Sequence, residues 1–200
     1  MYILAISPHT DDIELGCGGS LAKFIRMGHR VYAWSLSFGN PRTGATLEEL
    51  EASMGVLGVD RFVREAYDCR VFIDRRQEIL EKMVIRNLKE PPDLVFVPST
   101  SNIHQDHEVI VNEARRAFRS SCILGYEMPW GDVKPLHMPF YIRLREEDLA
   151  KKCEAVACYE SQEERVYTGE SFLRSLATVR GAQTGKGGLA EAFEVLKWVM

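Results

Sequence analysis

The sequence predicts an α/β fold built on a mostly parallel sheet, and three observations carry that expectation. Short apolar runs alternate with helical periodicity from Tyr2 to Glu127, the order that βαβ units impose. The run Leu94 to Val97 is wholly apolar, as a central parallel strand covered on both faces must be. The two densest groups of chemically active residues, Pro8 to Asp12 and His104 to His107, both follow strand-like runs, where open α/β sheets keep their ligand sites.

Each element follows from local pattern. Tyr2 to Ser7 reads as a strand, Gly19 to Met27 as a helix closed by Gly28, and Arg30 to Phe38 as a second strand rich in β-branched and aromatic residues. Gly39 to Ala45, with Pro41 and Gly44, reads as a loop. Leu47, Leu50, Met54 and Leu57 share one helical face, so Thr46 to Leu57 is an amphipathic helix ended by Gly58. A strand is expected within Arg61 to Ala66. Ile79, Leu80, Met83, Val84 and Leu88 form the apolar face of a helix from an Asp74 N-cap to Glu90, stopped by Pro91 and Pro92. After the strand Leu94 to Val97, a helix from Gln105 to Arg119 and a strand from Ile123 to Glu127 complete the alternation. Beyond Trp130 the pattern loosens into an extended Phe140 to Leu144, helices at Glu146 to Tyr159 and Glu170 to Ala182, and a glycine-rich loop from Gly181 to Gly188.

Composition bounds the function. The 200 residues, 46% of them hydrophobic, are enough for a full core and are most simply one domain, residues 1–200. A net charge of -4 with dispersed Lys and Arg offers no basic stripe for nucleic acid. No apolar window of about 18 residues exists, which excludes a helical membrane span, and the N-terminus has no basic leader, so the cytoplasm is the expected location. A small-molecule substrate is the expected partner, with homo-oligomerisation left open. The five cysteines are odd in number and form no CxxC pair, so they are expected to be reduced and mostly buried. Cys17 alone is near the first motif, as a packed thiol or, less simply, as a reactive one.

The motifs carry the chemistry. A hydrolytic zinc site takes about three protein ligands and keeps one position open. His9, Asp12 and His107 supply such a set, with Fe(II) as the runner-up because two histidines and one carboxylate also form its facial triad. Asp11 and Asp12 are adjacent, so their side chains leave the backbone in different directions, one free to coordinate and the other to serve as general base. An Asx turn or N-cap explains one such aspartate more readily than two. His104 and His107, three apart, share a face if a helix starts there, and Asp106 is expected to hold the imidazole of His104 in one tautomer. The glycines of Gly16-Cys17-Gly18-Gly19-Ser20 do not read as a dinucleotide fingerprint, because the preceding turn carries carboxylates that would repel a pyrophosphate. They read instead as close-packing positions under the first motif.

PHTDDIELGCGGSLA resembles the PHPDDxxxGCGG signature of the LmbE-like (PIG-L superfamily) zinc-dependent N-deacetylases, and HQDH matches their HxDH. Tyr159-Glu160-Ser161-Gln162, Arg180-Gly181 and Ala190-Glu191-Ala192-Phe193 are similar to later family segments, so the resemblance spans nearly the whole chain. It implies a Rossmann-like three-layer sandwich and removal of an N-acetyl group from an N-acetylglucosamine-type sugar or its conjugate. It further implies that His9, Asp12 and His107 bind zinc, that Asp11 is the general base, and that His104, oriented by Asp106, stabilises the oxyanion or protonates the leaving amine. Thr10 stands where the family usually has proline. Thr46 stands where many members place a substrate-facing arginine, with Arg42 in the same loop as a candidate replacement. Tyr126 and Trp130 follow a strand end and are candidate walls of a sugar pocket, against ordinary packing. A hydrolase of another N-acyl amide, or a non-catalytic metal- or carbohydrate-binding module, would share the same ligands.

Overall fold

The computed structural model describes residues 1–37, 46–132 and 137–199. Its sheet contains β1 (Tyr2–Ser7), β2 (Arg30–Ser35), β3 (Arg61–Arg64), β4 (Leu94–Pro98), β5 (Cys122–Tyr126), β6 (Phe140–Leu144) and β7 (Leu189–Lys197). The helices are α1 (Asp12–Arg26), α2 (Leu47–Leu57), α3 (Arg76–Lys89), α4 (Gln105–Ala117), α5 (Glu146–Ala157) and α6 (Glu170–Gln183), with short 3-10 turns at Glu160–Gln162 and Val166–Thr168. The strand order is β3-β2-β1-β4-β5-β7-β6. The first five strands are parallel, and β7 runs antiparallel to both β5 and β6.

Alternation along β1 divides the core into two layers. Ile3 and Ala5 face α1, α2, α5 and α6, joining Leu21, Leu50, Leu149 and Leu173 in one cluster. Tyr2, Leu4 and Ile6 face α3 and α4, joining Ile79, Met83, Ile110 and Ala114 in the other. Helices therefore cover both faces of the sheet, and β1, β2, β4 and β5 are buried through most of their length. The strand order reverses between β1 and β4, so the chain leaves the carboxyl ends of these two neighbours in opposite directions and opens a crevice between them. Both motifs empty into that crevice.

Several boundaries depart from the sequence expectation, and α3 begins at Arg76 with Arg75, not Asp74, at its N-cap. α1 begins at Asp12 rather than Gly19, so the GCGG run lies inside the helix. A β-carbon on Gly16 would stand 2.2 Å from the ring of Tyr126, and one on Gly19 would stand 2.6 Å from Leu144, which makes these glycines packing positions rather than breakers. β2 ends at Ser35, and the expected loop from Gly39 to Ala45, with Arg42, lies outside the described residues. β7 occupies a segment in which no strand was expected, because the inward-facing Glu191 breaks its apolar pattern. The cysteines are free, but only Cys17 and Cys153 are buried, the other three being partly exposed. Burial, with Glu191 nearby, pushes the Cys17 thiol well up, so it is an inert packed group. Among the described residues, no helix is long and apolar enough to cross a membrane.

Candidate metal centre

Two loops and two helix N-termini build the site. β1 delivers Pro8 and His9 to a turn in which Asp11 takes φ 79°, a left-handed conformation that is unfavourable for any residue but glycine. Asp12 then starts α1. From the other side of the crevice, β4 leads through residues 99–104 into α4. His104 is the N-cap of α4, its Nδ1 accepting the Asp106 amide at 3.2 Å, and fully buried His107 projects from the first turn.

Three lone-pair atoms converge. His9 Nδ1 and Asp12 Oδ2 are 3.5 Å apart, His107 Nε2 and Asp12 Oδ2 3.3 Å, and His107 Nε2 and His9 Nδ1 3.3 Å. Ligands about 2.0–2.2 Å from a tetrahedral zinc stand about 3.3–3.6 Å from one another, so this triangle has the edge lengths of one face of such a site. His9, His104 and His107 also offer nitrogen atoms that all lie within 4.8 Å of one another, a looser set with His104 at its margin. The donor chemistry therefore fits a divalent cation.

The electrostatics agree. Burial alone would discharge His9, but its hydrogen bonds to Asp106 and Asp12 raise its pKa well above the ordinary imidazole value, making this a position that favours positive charge. His107 and His9 hold the Asp12 carboxyl well below its usual range despite burial. Asp11 is pushed the other way, well up, by burial and by the charges of Asp12 and Glu14, with Arg165 opposing. Burial, with His9 and His107 beside it, lowers His104 to about 4, so it is neutral near pH 7. Its Nδ1 accepts a backbone N–H, so the ring proton of neutral His104 sits on Nε2 and is available to donate.

The structure assigns two residues, Asp106 and Tyr126, differently from the sequence expectation. Asp106 accepts from His9 Nε2 at 2.9 Å and from the amides of Arg70 and Phe72, while its carboxylate is 4.0 Å from His104 Nδ1. It thus orients His9 rather than His104. Tyr126 is fully buried, its hydroxyl donating to the Ile6 carbonyl at 3.0 Å, and is packing rather than pocket wall. Trp130 does reach the site, its ring edge-on to His107 at 5.8 Å and to His104 at 6.3 Å. Arg42 lies outside the described residues. Thr46 and Glu49 form a capping box at the start of α2, and Glu49 also accepts from Ser161.

Several site residues carried no sequence signal. Arg165 Nη1 lies 3.5 Å from Asp11 Oδ2, and Tyr167 stacks on Trp130 at 6.2 Å. Both come from a stretch of turns without periodicity. Asn102 accepts the His104 amide and donates to Asp132, which also accepts from Ser99 and the Met128 amide, so this pair locks together the loops that carry His104 and Trp130. Beneath the site, Lys152 donates to the Leu15 carbonyl and to Glu191, and Glu191 accepts from Gly19 and Ser20. A buried ion pair thus ties α5 and β7 to α1, which gives the otherwise unexplained Glu191 a role.

Comparison with known proteins places this arrangement. Residues 4–118, which include every residue of the triangle, match the profile of a family described as PIG-L, GlcNAc-PI de-N-acetylase. The chain belongs to the PIG-L family. The curated protein "Uncharacterized deacetylase YaiS" of Escherichia coli strain K12 is 32% identical over 136 residues, 64% of this chain and 74% of YaiS. Solved structures repeat the PIG-L fold at lower identity. The N,N'-diacetylchitobiose deacetylase of Pyrococcus horikoshii superposes with a TM-score of 0.73 at 20% identity, covering 98% of this chain and 83% of that one. GalB, the 4-carboxy-2-hydroxymuconate hydratase of Pseudomonas putida KT2440, superposes with a TM-score of 0.80 at 17% identity over 100% and 97%. One fold thus carries both deacetylase and hydratase chemistry, and the site must decide between them.

Proposed function

We propose that this PIG-L family deacetylase is a metal-dependent hydrolase that removes an N-acetyl group from an N-acetylglucosamine-type sugar or conjugate, releasing acetate and a free amine. The observation that carries the reading is the triangle of His9, Asp12 and His107 with a buried carboxylate, Asp11, beside it but outside it. These three residues would hold zinc, whose tetrahedral edge lengths they match, with Fe(II) as the alternative. When bound, such an ion supplies Lewis acidity, polarising an amide carbonyl and making water more acidic.

The protein's own groups do the rest. Asp11, its basicity raised by burial and by Asp12, takes the proton of the attacking water. Neutral His104 presents Nε2–H to the oxygen that gains charge as the carbonyl is attacked. The protonated Asp11 then returns its proton to the leaving amine. Asp106 fixes the tautomer of His9, leaving Nδ1 as the ligand atom. A hydrolase acting on another N-acyl amide would use the same groups, differing only in the walls of its pocket.

The test is acetate release by the zinc-loaded protein from free N-acetylglucosamine and from its glycoside, nucleotide-linked and lipid-linked forms. Acetate from one class supports the reading and names that class. No acetate from any of them, with zinc confirmed bound, overturns it and moves the assignment to another amide or to a binding role.

A further inference from the structure

Asp11 is the N-cap of α1, yet its carboxylate accepts no amide of the first turn, and its φ of 79° is strained for a residue with a side chain. An ordinary N-cap aspartate spends its oxygens on those amides and is held by them. Other groups must hold this one, and two side chains reach it from a single segment. The Tyr159 hydroxyl is hydrogen-bonded to the Asp11 backbone and donates to Glu14 Oε1 at 2.8 Å, an oxygen that also accepts from Ser53 of α2. Arg165 reaches the carboxylate, its Nη1 3.5 Å from Asp11 Oδ2. The segment is braced to present both. The Gln162 amide donates to the Tyr159 carbonyl at 2.9 Å, and the Gln162 carbonyl accepts the Arg165 amide at 3.0 Å and the Thr168 hydroxyl at 3.1 Å. Ser161 docks the same turn on α2 through Glu49. Residues 159–168 therefore form a bracket that leans on α1 and α2.

We propose that Tyr159 and Arg165 are positioning residues for Asp11, Tyr159 fixing its backbone in the left-handed conformation and Arg165 aiming its carboxylate. A strained backbone persists only where its surroundings over-determine it. A carboxylate free of capping bonds turns about its own side-chain torsions unless a partner stops it, and misplacing a proton-transferring group by about 1 Å costs about 100-fold in rate. Neither Tyr159 nor Arg165 belongs to the triangle of His9, Asp12 and His107, so their loss leaves the metal ligands in place. The inference rests on the reading of Asp11 as general base, and its test separates the two.

Tyr159→Phe, Arg165→Gln and the double variant are loaded with zinc, crystallised beside the wild type and assayed for acetate release on N-acetylglucosamine and its glycoside, nucleotide-linked and lipid-linked forms. In the double variant Asp11 is expected to leave the left-handed region or to shift its carboxylate by about 1 Å or more, with the ligand triangle unchanged. Each single substitution is expected to lower kcat by about 10- to 100-fold with KM and zinc affinity unchanged, and Arg165→Lys to recover part of the loss. In an Asp11→Asn background neither substitution is expected to lower kcat further, a non-additivity that a merely structural role would not produce. Asp11 unmoved in the double variant, a loss that persists in the Asp11→Asn background, or a loss that follows zinc affinity overturns the positioning role. Arg165→Gln alters a side chain that is 32% exposed, so misfolding of the Tyr159 variants leaves its structure and kinetics to decide. Full activity in Asp11→Asn overturns the base, and no acetate from the wild type overturns the hydrolase; in both cases the position of Asp11 in the crystal structures decides the bracket alone.

Discussion

Nε2 of His9 lies 2.9 Å from Oδ2 of Asp106, a pairing between residues 97 positions apart that decides which nitrogen of His9 is left for a cation. Replacing Asp106 with alanine frees the ring to rotate and to change tautomer. Zinc affinity is expected to fall by about 10- to 100-fold, measured by competition with a chromogenic chelator. Unchanged affinity would show that the ring is held by packing alone.

Asp11 sits beside the ligand triangle without belonging to it. Asp11→Asn preserves the size of the side chain and is expected to retain zinc while lowering kcat by about 10²- to 10⁴-fold. Metal content by atomic absorption together with acetate release checks both halves. Full activity in this variant rules Asp11 out as the base.

Gly16 faces a ring that cannot retreat, because Tyr126 is anchored through its hydroxyl to Ile6. Gly16→Ala is expected to destabilise the fold by about 1–3 kcal/mol through overpacking, despite alanine's better helix propensity. Gly55, inside α2 with nothing within 4 Å of its added β-carbon, is the matched control. There alanine is expected to stabilise by about 0.5–1 kcal/mol. Urea titration of both variants makes the comparison.

Lys152 and Glu191 are a buried ion pair with exposures of 5% and 6%. Lys152→Met leaves a carboxylate under α1 without its countercharge and is expected to cost about 3–5 kcal/mol, partly recovered by adding Glu191→Gln. Thermal unfolding of the single and double variants reads the coupling between them.

Asp132 is pushed up to about 6 by burial, against the hydrogen bonds from Met128, Ser99 and Asn102. The unfolded carboxyl titrates near 3.8, so between about pH 4 and 6 the folded state keeps a proton that the unfolded state has released. Stability from this group is therefore complete below that window and declines as pH rises through it. Asp132→Asn removes the titration, so the stability of the wild type relative to the variant is expected to fall between pH 4 and pH 6. A flat difference across that range would place the Asp132 pKa at its ordinary value.

The regular part of this molecule is written in its periodicity. The α2 stripe of Leu47, Leu50, Met54 and Leu57 and the apolar run of β4 were legible because one residue pattern served one environment. α1 was read too short because glycine lowers helix propensity, whereas here close contact with Tyr126 and Leu144 requires it. The triangle of His9, Asp12 and His107 was legible from motif spacing. The partner of Asp106 was not, since adjacency favoured His104 while the crossover from β1 to β4 brings His9 nearer to its carboxylate. Arg165 and Tyr167 stayed hidden because turns have no period to betray which side chain faces the site.

The sheet order also has a temporal meaning. Among the described residues β6 pairs with β7 alone, which follows it by more than 40 residues and must slide between β5 and β6. Until that insertion, β6 lacks a hydrogen-bonding neighbour and Glu191 is absent from beneath α1. Long-range insertions of this kind close slowly, so the edge of the sheet and the latch under the metal loop are expected to mature together, as the final event of folding.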